Sequence, residues 1–295
     1  MGQGKDGRDK PRLPDAPEAS GKFPVARRVE PDEPEPVVVE PPRAPHPAAN
    51  RRSDRPAART RSAVSHLERA MKAKTPAARA KHARAGLVGV VDVETQALLL
   101  RQLYLGELEA GAFERAREVA EQMVTTGVMP DVARHDAARA CQALGALDEA
   151  ITHLREAVRI APDARQSFHL STLGALLYVA GRPGEARIPL EAALATAGDA
   201  GPLVKGQLAL ARHASGDSSA ELDLAYHELQ HDRAAEGYGR FVLGELAFAR
   251  GDRRAAQVYL EAFVARVRRS RPAARAALGP EVTRATETLG RIVFN

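Results

Sequence analysis

A small residue returns at a fixed interval along this chain, and that interval constrains the fold more than any other feature. Ala116 lies five residues after Gly111, Ala150 five after Gly145, Ala186 five after Gly181 and Ala256 five after Gly251. The spacings 116 to 150 and 150 to 186 are 34 and 36 residues, and 186 to 256 is 70, which leaves room for two units. Self-similarity on this scale means that each unit is one supersecondary element that buries its apolar side only by stacking on its neighbours. The unit between is "GQLALARHASGDSSAELDLAYHELQ", which keeps the rhythm but puts Glu221 where the small residue belongs. Five units are expected within 92–266, at about 97–130, 131–164, 167–200, 202–235 and 237–266.

Within "GALDEAITHLREAVRIAPDA" the apolar stripe alternates small and large, as Ala150, Leu154 and Ala157. Such a stripe requires a neighbouring helix at short range. Ala150 is expected to cross its partner helix near Ala138, and Ala186 near Gly174, with Leu154 and Leu190 filling the space between successive units. Gly145 supplies the turn and Pro162 ends the second helix, because proline cannot continue the hydrogen-bond ladder. Pro189 falls inside the second helix of the third unit and predicts a late start or a kink there. Aromatics make up only 4% of the chain and Trp is absent. With Ala and Leu dominant in the last two-thirds, propensity favours an all-α fold.

This pattern resembles the tetratricopeptide repeat, a 34-residue helix-turn-helix unit, over about 60% of the chain. The likeness is carried by Leu170, Leu173, Gly174, Leu177, Ala186, Leu190 and Ala193 in one unit and by Ala138, Ala150, Leu154, Ala157 and Pro162 in the unit before it. Arg134, Glu107 and Glu221 depart from it. The resemblance implies an α-solenoid wound as a right-handed superhelix, in which the first helix of each pair lines a concave groove that binds a peptide or a partner helix. By position, that groove would contain Arg101, Glu109, His135, Arg139, Gln142, Phe168, Ser171, Tyr178, His213, Tyr238, Phe241, Glu245 and Phe248. Cations come early and rings late, which suits an acidic protein segment beside an apolar anchor. A noncatalytic adaptor or scaffold without a cofactor is the function implied. In "GPEVTRATETLGRIVFN", Val282, Ala285, Leu289, Ile292 and Val293 can form one apolar stripe, so 267–295 is expected to cap the array.

The N-terminal third has different chemistry. Twelve of the 20 prolines lie in residues 1–60, mixed with both charges, and such a segment cannot bury enough apolar surface to offset its ordering entropy. A disordered arm is expected there, followed by a basic, partly helical linker over 61–91. Ser65 with Glu68 has the form of a capping box, and Thr75 with Pro76 starts a second short helix that stops at Gly86. Residues 41–86 hold twelve Lys and Arg against two Asp and Glu, whereas 87–295 hold 24 against 27. The basic stretch could therefore meet nucleic acid or an anionic surface, although no aromatic interrupts it to stack on bases. The lone Cys141 excludes an internal disulfide and reads as a buried small residue. With no apolar leader or spanning stretch, a cytoplasmic location is expected.

Two competing signals remain. "HELQH" places His227 and His231 at the i, i+4 spacing of a zinc hydrolase with Glu228 as general base, and Glu236 or Glu245 as a further ligand. "TTGVMPD", at 125–131, ends a unit in the manner of a pentatricopeptide repeat, which would make the array an RNA reader, but the repeat region carries slight negative charge. "GQGKDG" lacks the preceding strand and the hydroxyl residue of a phosphate loop, and Asp6 disfavours myristoylation of Gly2.

Overall fold

A computed structural model describes residues 54–89, 91–217 and 221–294. The arm expected over residues 1–60 lies outside them as far as residue 53. Every regular element among the described residues is helical. The helices are α1 (Asp54–Lys72), α2 (Pro76–Gly86), α3 (Val93–Glu109), α4 (Phe113–Thr126), α5 (Pro130–Ala143), α6 (Leu147–Ile160) and α7 (Asp163–Val179). They continue with α8 (Pro183–Leu194), α9 (Gly201–Ala214), α10 (Leu222–Gln230), α11 (Gly239–Ala249), α12 (Arg253–Arg268), α13 (Pro272–Ala277) and α14 (Gly279–Phe294).

From α1 to α12 each helix packs on its successor, so the chain is a solenoid of sequential hairpins. First helices also touch first helices, α1 on α3, α7 on α9 and α9 on α11, which makes their row the inner side of the stack. The hairpin turns repeat: Gly111, Gly145, Gly181, Gly216 and Gly251 have φ of 78, 77, 76, 80 and 84°, a left-handed conformation that other residues adopt only with strain. The expected crossing residues Ala116, Ala150, Ala186 and Ala256 are all fully buried.

The small residues act differently from the expectation. A Cβ at Gly174 would lie 2.4 Å from Leu190 Cγ, and one at Gly244 2.5 Å from Leu260 Cδ2. Leu190 therefore fills the hollow over Gly174 within one hairpin rather than the gap between hairpins. In the first unit the equivalent positions hold Tyr104 and Ala120, both fully buried, so the large partner has moved to the other helix. The irregular fourth unit has a simple cause: α10 begins six residues after Gly216, where α4, α6, α8 and α12 begin two after their glycines. Glu221 becomes an exposed N-cap, and Ala225, the fourth residue of α10, takes the buried position that Ala116 takes in α4.

Three local expectations are corrected. Pro189 neither delays nor interrupts α8, which starts at Pro183 and runs through it to Leu194. Ser65 is interior to α1 rather than a cap, since the Ala- and Arg-rich stretch from Asp54 is already helical. Residues 54–60, read as arm, are thus helix. The second cap holds: Thr75 Oγ1 accepts from Ala78 N at 3.2 Å with Pro76 in the first turn. Helix α2 then packs tightly against α3, where a Cβ on Gly86 would meet Leu99 Cδ2 at 2.6 Å. Beside Glu221, the other two residues that depart from the repeat pattern are accommodated by polar partners. Glu107 is buried, paired with Arg84 of α2 and, at 2.8 Å, with Arg115 of α4. Arg134 Nη1 donates to His153 Nδ1 at 3.3 Å, and His153 Nε2 lies 3.1 Å from Glu121.

Candidate partner-binding face

The chain does not end as a simple cap. After α12 it reverses at Ser270, and α13 crosses onto α3 and α5, while α14 lies on α12, α11 and α7. The C-terminal helices thus run along the inner row of first helices and divide the candidate residues into two groups.

In the C-terminal half Tyr178, Glu245 and Phe248 lie beneath α14. Glu245 of α11, only 4% exposed, accepts three hydrogen bonds, from Arg284 Nε (2.6 Å), Tyr178 Oη (3.1 Å) and Thr288 Oγ1 (2.7 Å). Arg284 Nη2 also donates to Tyr178 Oη at 2.6 Å, and the guanidinium carbon sits 4.1 Å above the Tyr178 ring. Planar stacking and a two-edged donor contact are what arginine supplies and lysine does not. Burial pushes the Tyr178 and Tyr238 hydroxyls above their ordinary range, reinforced by Glu245 and Glu281 respectively. Phe248 lies under Arg291, whose guanidinium carbon is 4.9 Å from the ring centre. Gln142 Nε2 donates to the carbonyl of Ala277 at 2.6 Å. Of the expected apolar stripe, Ala285 is fully buried and Val282, Leu289 and Ile292 pack on the core, but Val293 is 72% exposed and does not belong to it.

Phe241 does not face the groove. It is 1% exposed and stacks on Phe263 of α12 with ring centres 5.4 Å apart, which makes it core of the last hairpin. His213 stands exposed near the end of α9. Glu109 is tied to Arg79 of α2 at 3.0 Å.

The N-terminal half carries the remaining candidates. Phe168 is 57% exposed, with its ring 4.9 Å from that of His135 and 5.4 Å from that of His169. Below it, Asp131 joins α5 to α7: Arg165 donates to both its oxygens at 2.7 and 2.9 Å, and His169 Nε2 lies 3.1 Å from Oδ2. These contacts hold the Asp131 carboxyl down at about 2 against its burial. Arg101 lies 3.6 Å from buried Asp136, whose carboxyl is pushed up to about 6 by burial. Burial also drives His135 down to about 3, with His169 and Arg139 adding to the effect, so its imidazole is neutral. The buried Tyr104 Oη, His135 Nδ1 and His169 Nδ1 have no hydrogen-bond partner among the described residues. Ser171 donates to the Phe168 carbonyl at 3.0 Å, and Arg139 is half-buried one turn from His135.

The sequence reading missed Asp131, Arg165, His169, Arg284 and Thr288. One signal was available: Asp131 and Arg165 are 34 residues apart, the repeat period itself, which puts them at the same level of adjacent units.

The "HELQH" stretch does not assemble a metal site. His227 is exposed on α10, and His231 falls just past that helix's last residue and is also exposed. Glu228 pairs with Lys205 at 2.8 Å, Glu236 with Arg240, and Glu245 with Arg284. Among the described residues no group of three or more His, Cys, Asp or Glu side chains comes together to hold a metal. Cys141 is buried, its thiol pushed up to about 11 chiefly by burial, with Glu149 beside it. Among the described residues no helix is long and apolar enough to cross a membrane. The chain matches no family model and no curated protein.

Proposed function

We propose that this chain is a noncatalytic scaffold whose repeats are of the tetratricopeptide type and whose inner face binds a segment of another protein. The N-terminal half of that face is the recognition surface, and the observation that carries this reading is Phe168. A phenylalanine that is 57% exposed, held at a fixed distance from His135 and His169 on two packed helices, is a preorganised apolar anchor. Arg101 and Arg139, on α3 and α5, act on the neighbouring His135 and suit carboxylates, so the ligand is an acidic segment with an apolar side chain that seats on the ring.

The experiment is affinity capture with the intact chain and with Phe168→Ala/Arg139→Glu, both checked by circular dichroism. Loss of specific partners with unchanged helix content supports the reading, and retention of every partner contradicts it. A second contact, with nucleic acid or an anionic surface, is favoured by the exposed Arg69, Lys72, Lys74 and Lys81 of the α1–α2 region. Removing residues 1–53 leaves those cations in place and removes most of the arm. Salt-sensitive binding that survives that deletion belongs to the helices.

A further inference from the structure

Helix α14 shows what the C-terminal half of the inner face recognises. Beside the apolar packing of Val282, Ala285, Leu289 and Ile292, it makes a set of specific polar contacts. Arg284 enters with two edges of its guanidinium on Glu245 and Tyr178 and with its plane on the Tyr178 ring. Ala285, the next residue, is wholly buried and leaves no room for a larger side chain. Thr288, one turn on, completes Glu245 through its other oxygen. An Arg-Ala-x-x-Thr face on a helix is therefore read by side chains of two separate elements, Tyr178 of α7 and Glu245 of α11.

The same contact is poorly suited to being permanent. Buried ionic groups give up hydration to dock, which offsets much of their mutual attraction. Glu281 adds a further cost: it is 4% exposed, and its Oε2 has no hydrogen-bond partner among the described residues. Helix α13, the link to α12, has no buried residue, so it is weakly held. Beside Arg284 a cleft of about 480 Å³ opens between the ends of α5 and α7 and the α13–α14 segment, bounded by Gln142, Val179, Ala276 and Glu287. Elements with polar contacts and few buried apolar groups are the first to open.

We propose that the C-terminal half of the inner face is a receptor for an amphipathic helix bearing a central arginine beside a small residue, and that α14 occupies this receptor until a partner protein's helix of the same chemistry replaces it. This site is distinct from the Phe168 surface, and its test does not involve that surface.

The probe is a fluorescent synthetic peptide of residues 277–294, added to the full-length chain and followed by anisotropy. Arg284→Glu in the chain sets a carboxylate against Glu245 and should free the receptor. The Arg284→Glu chain is expected to bind the peptide at least tenfold more tightly than the unaltered chain, whose tethered α14 competes at high effective concentration. A peptide carrying the same Arg284→Glu change should not bind. Arg284→Gln, a milder release, should fall between. Equal binding by the altered and unaltered chains, or binding by neither, overturns the proposal. So does loss of helix content across the array in both variants, which would make α14 a structural member. Sedimentation showing dimers that exchange α14 between copies would also overturn it, since a second copy would then be the occupant.

Discussion

The two halves of the inner face use the same scaffold and differ in what covers their side chains. Under α14, Glu245 receives three donors and Arg284 is both hydrogen bonded and stacked. Around Phe168, a large ring stands in solvent above two buried imidazole nitrogens, His135 Nδ1 and His169 Nδ1, that have no partner among the described residues. Repeat stacking alone does not produce this difference, because each helix from α1 to α12 packs on its successor in both halves. It comes from where the chain after α12 is laid: α14 covers Tyr178, Glu245 and Phe248, α13 touches α3 and α5, and Phe168 stays 57% exposed. A solenoid's face is thus a set of sites whose occupancy depends on where the chain's own end is laid.

Substitutions on either side of that division should therefore have unequal effects. The largest is expected from Glu245→Ala, which strips Arg284, Tyr178 and Thr288 of their common acceptor. Loss of a buried ion pair costs about 3–5 kcal/mol. Because Arg284 is 30% exposed, solvent screening should reduce this to about 2 kcal/mol, read from urea denaturation. Ala285→Leu overpacks the same half and should cost about 1–3 kcal/mol, whereas Ser171→Leu in the other half should change stability by less than about 0.5 kcal/mol. Equal costs for these two would erase the distinction between filled and open halves.

The halves should also respond differently to pH. Burial raises the Glu281 carboxyl to about 7, with Tyr238, the N-cap of α11, close enough for the two groups to act on each other. Docked α14 therefore holds a proton that the undocked helix releases. Docking is strongest below the ordinary carboxyl range, near pH 4.5, and weakens as pH rises through about 7. In the other half His135, lowered to about 3, favours the folded form above pH 6.5 and loses that contribution as pH falls. Asp136, raised to about 6, acts in the opposite sense over the same window. Hydrogen exchange, corrected for intrinsic rates, should show α14 gaining protection from pH 7.5 to pH 5 while α5 changes less. Greater protection of α14 at the higher pH would contradict this. The smallest effect on stability is expected from Phe168→Ala, within about 0.5 kcal/mol of the unaltered chain, since the ring is mostly exposed.

Much of the scaffold was legible because its rules are local and periodic. Turn glycines at Gly111, Gly145, Gly181, Gly216 and Gly251 mark the five hairpins from α3 to α12. The fourth unit defeated a fixed offset because α10 starts late, and only Ala225, shifted four residues from Glu221, shows where the crossing went. The pairing of Leu190 with Gly174 was misplaced for a related reason: periodicity says which residues are small and large, not which of them face each other. The α14 network was out of reach of such reasoning. Tyr178 and Arg284 are 106 residues apart, and no repeat spacing links them. A stripe of apolar residues on the last helix announced burial, but not against which surface.

The division of the inner face can be measured directly with thiol probes, because the sole native cysteine, Cys141, is buried and can be replaced. In a Cys141→Ala background, Phe168→Cys and Ala285→Cys each place one thiol on one side of the division. The labelling rate of Phe168→Cys should approach that of an unstructured peptide, and that of Ala285→Cys should be slower by about two orders of magnitude or more, set by the opening of α14. Similar rates at the two positions would show that α14 does not fill its half of the face and would contradict the division on which the proposed binding surfaces rest.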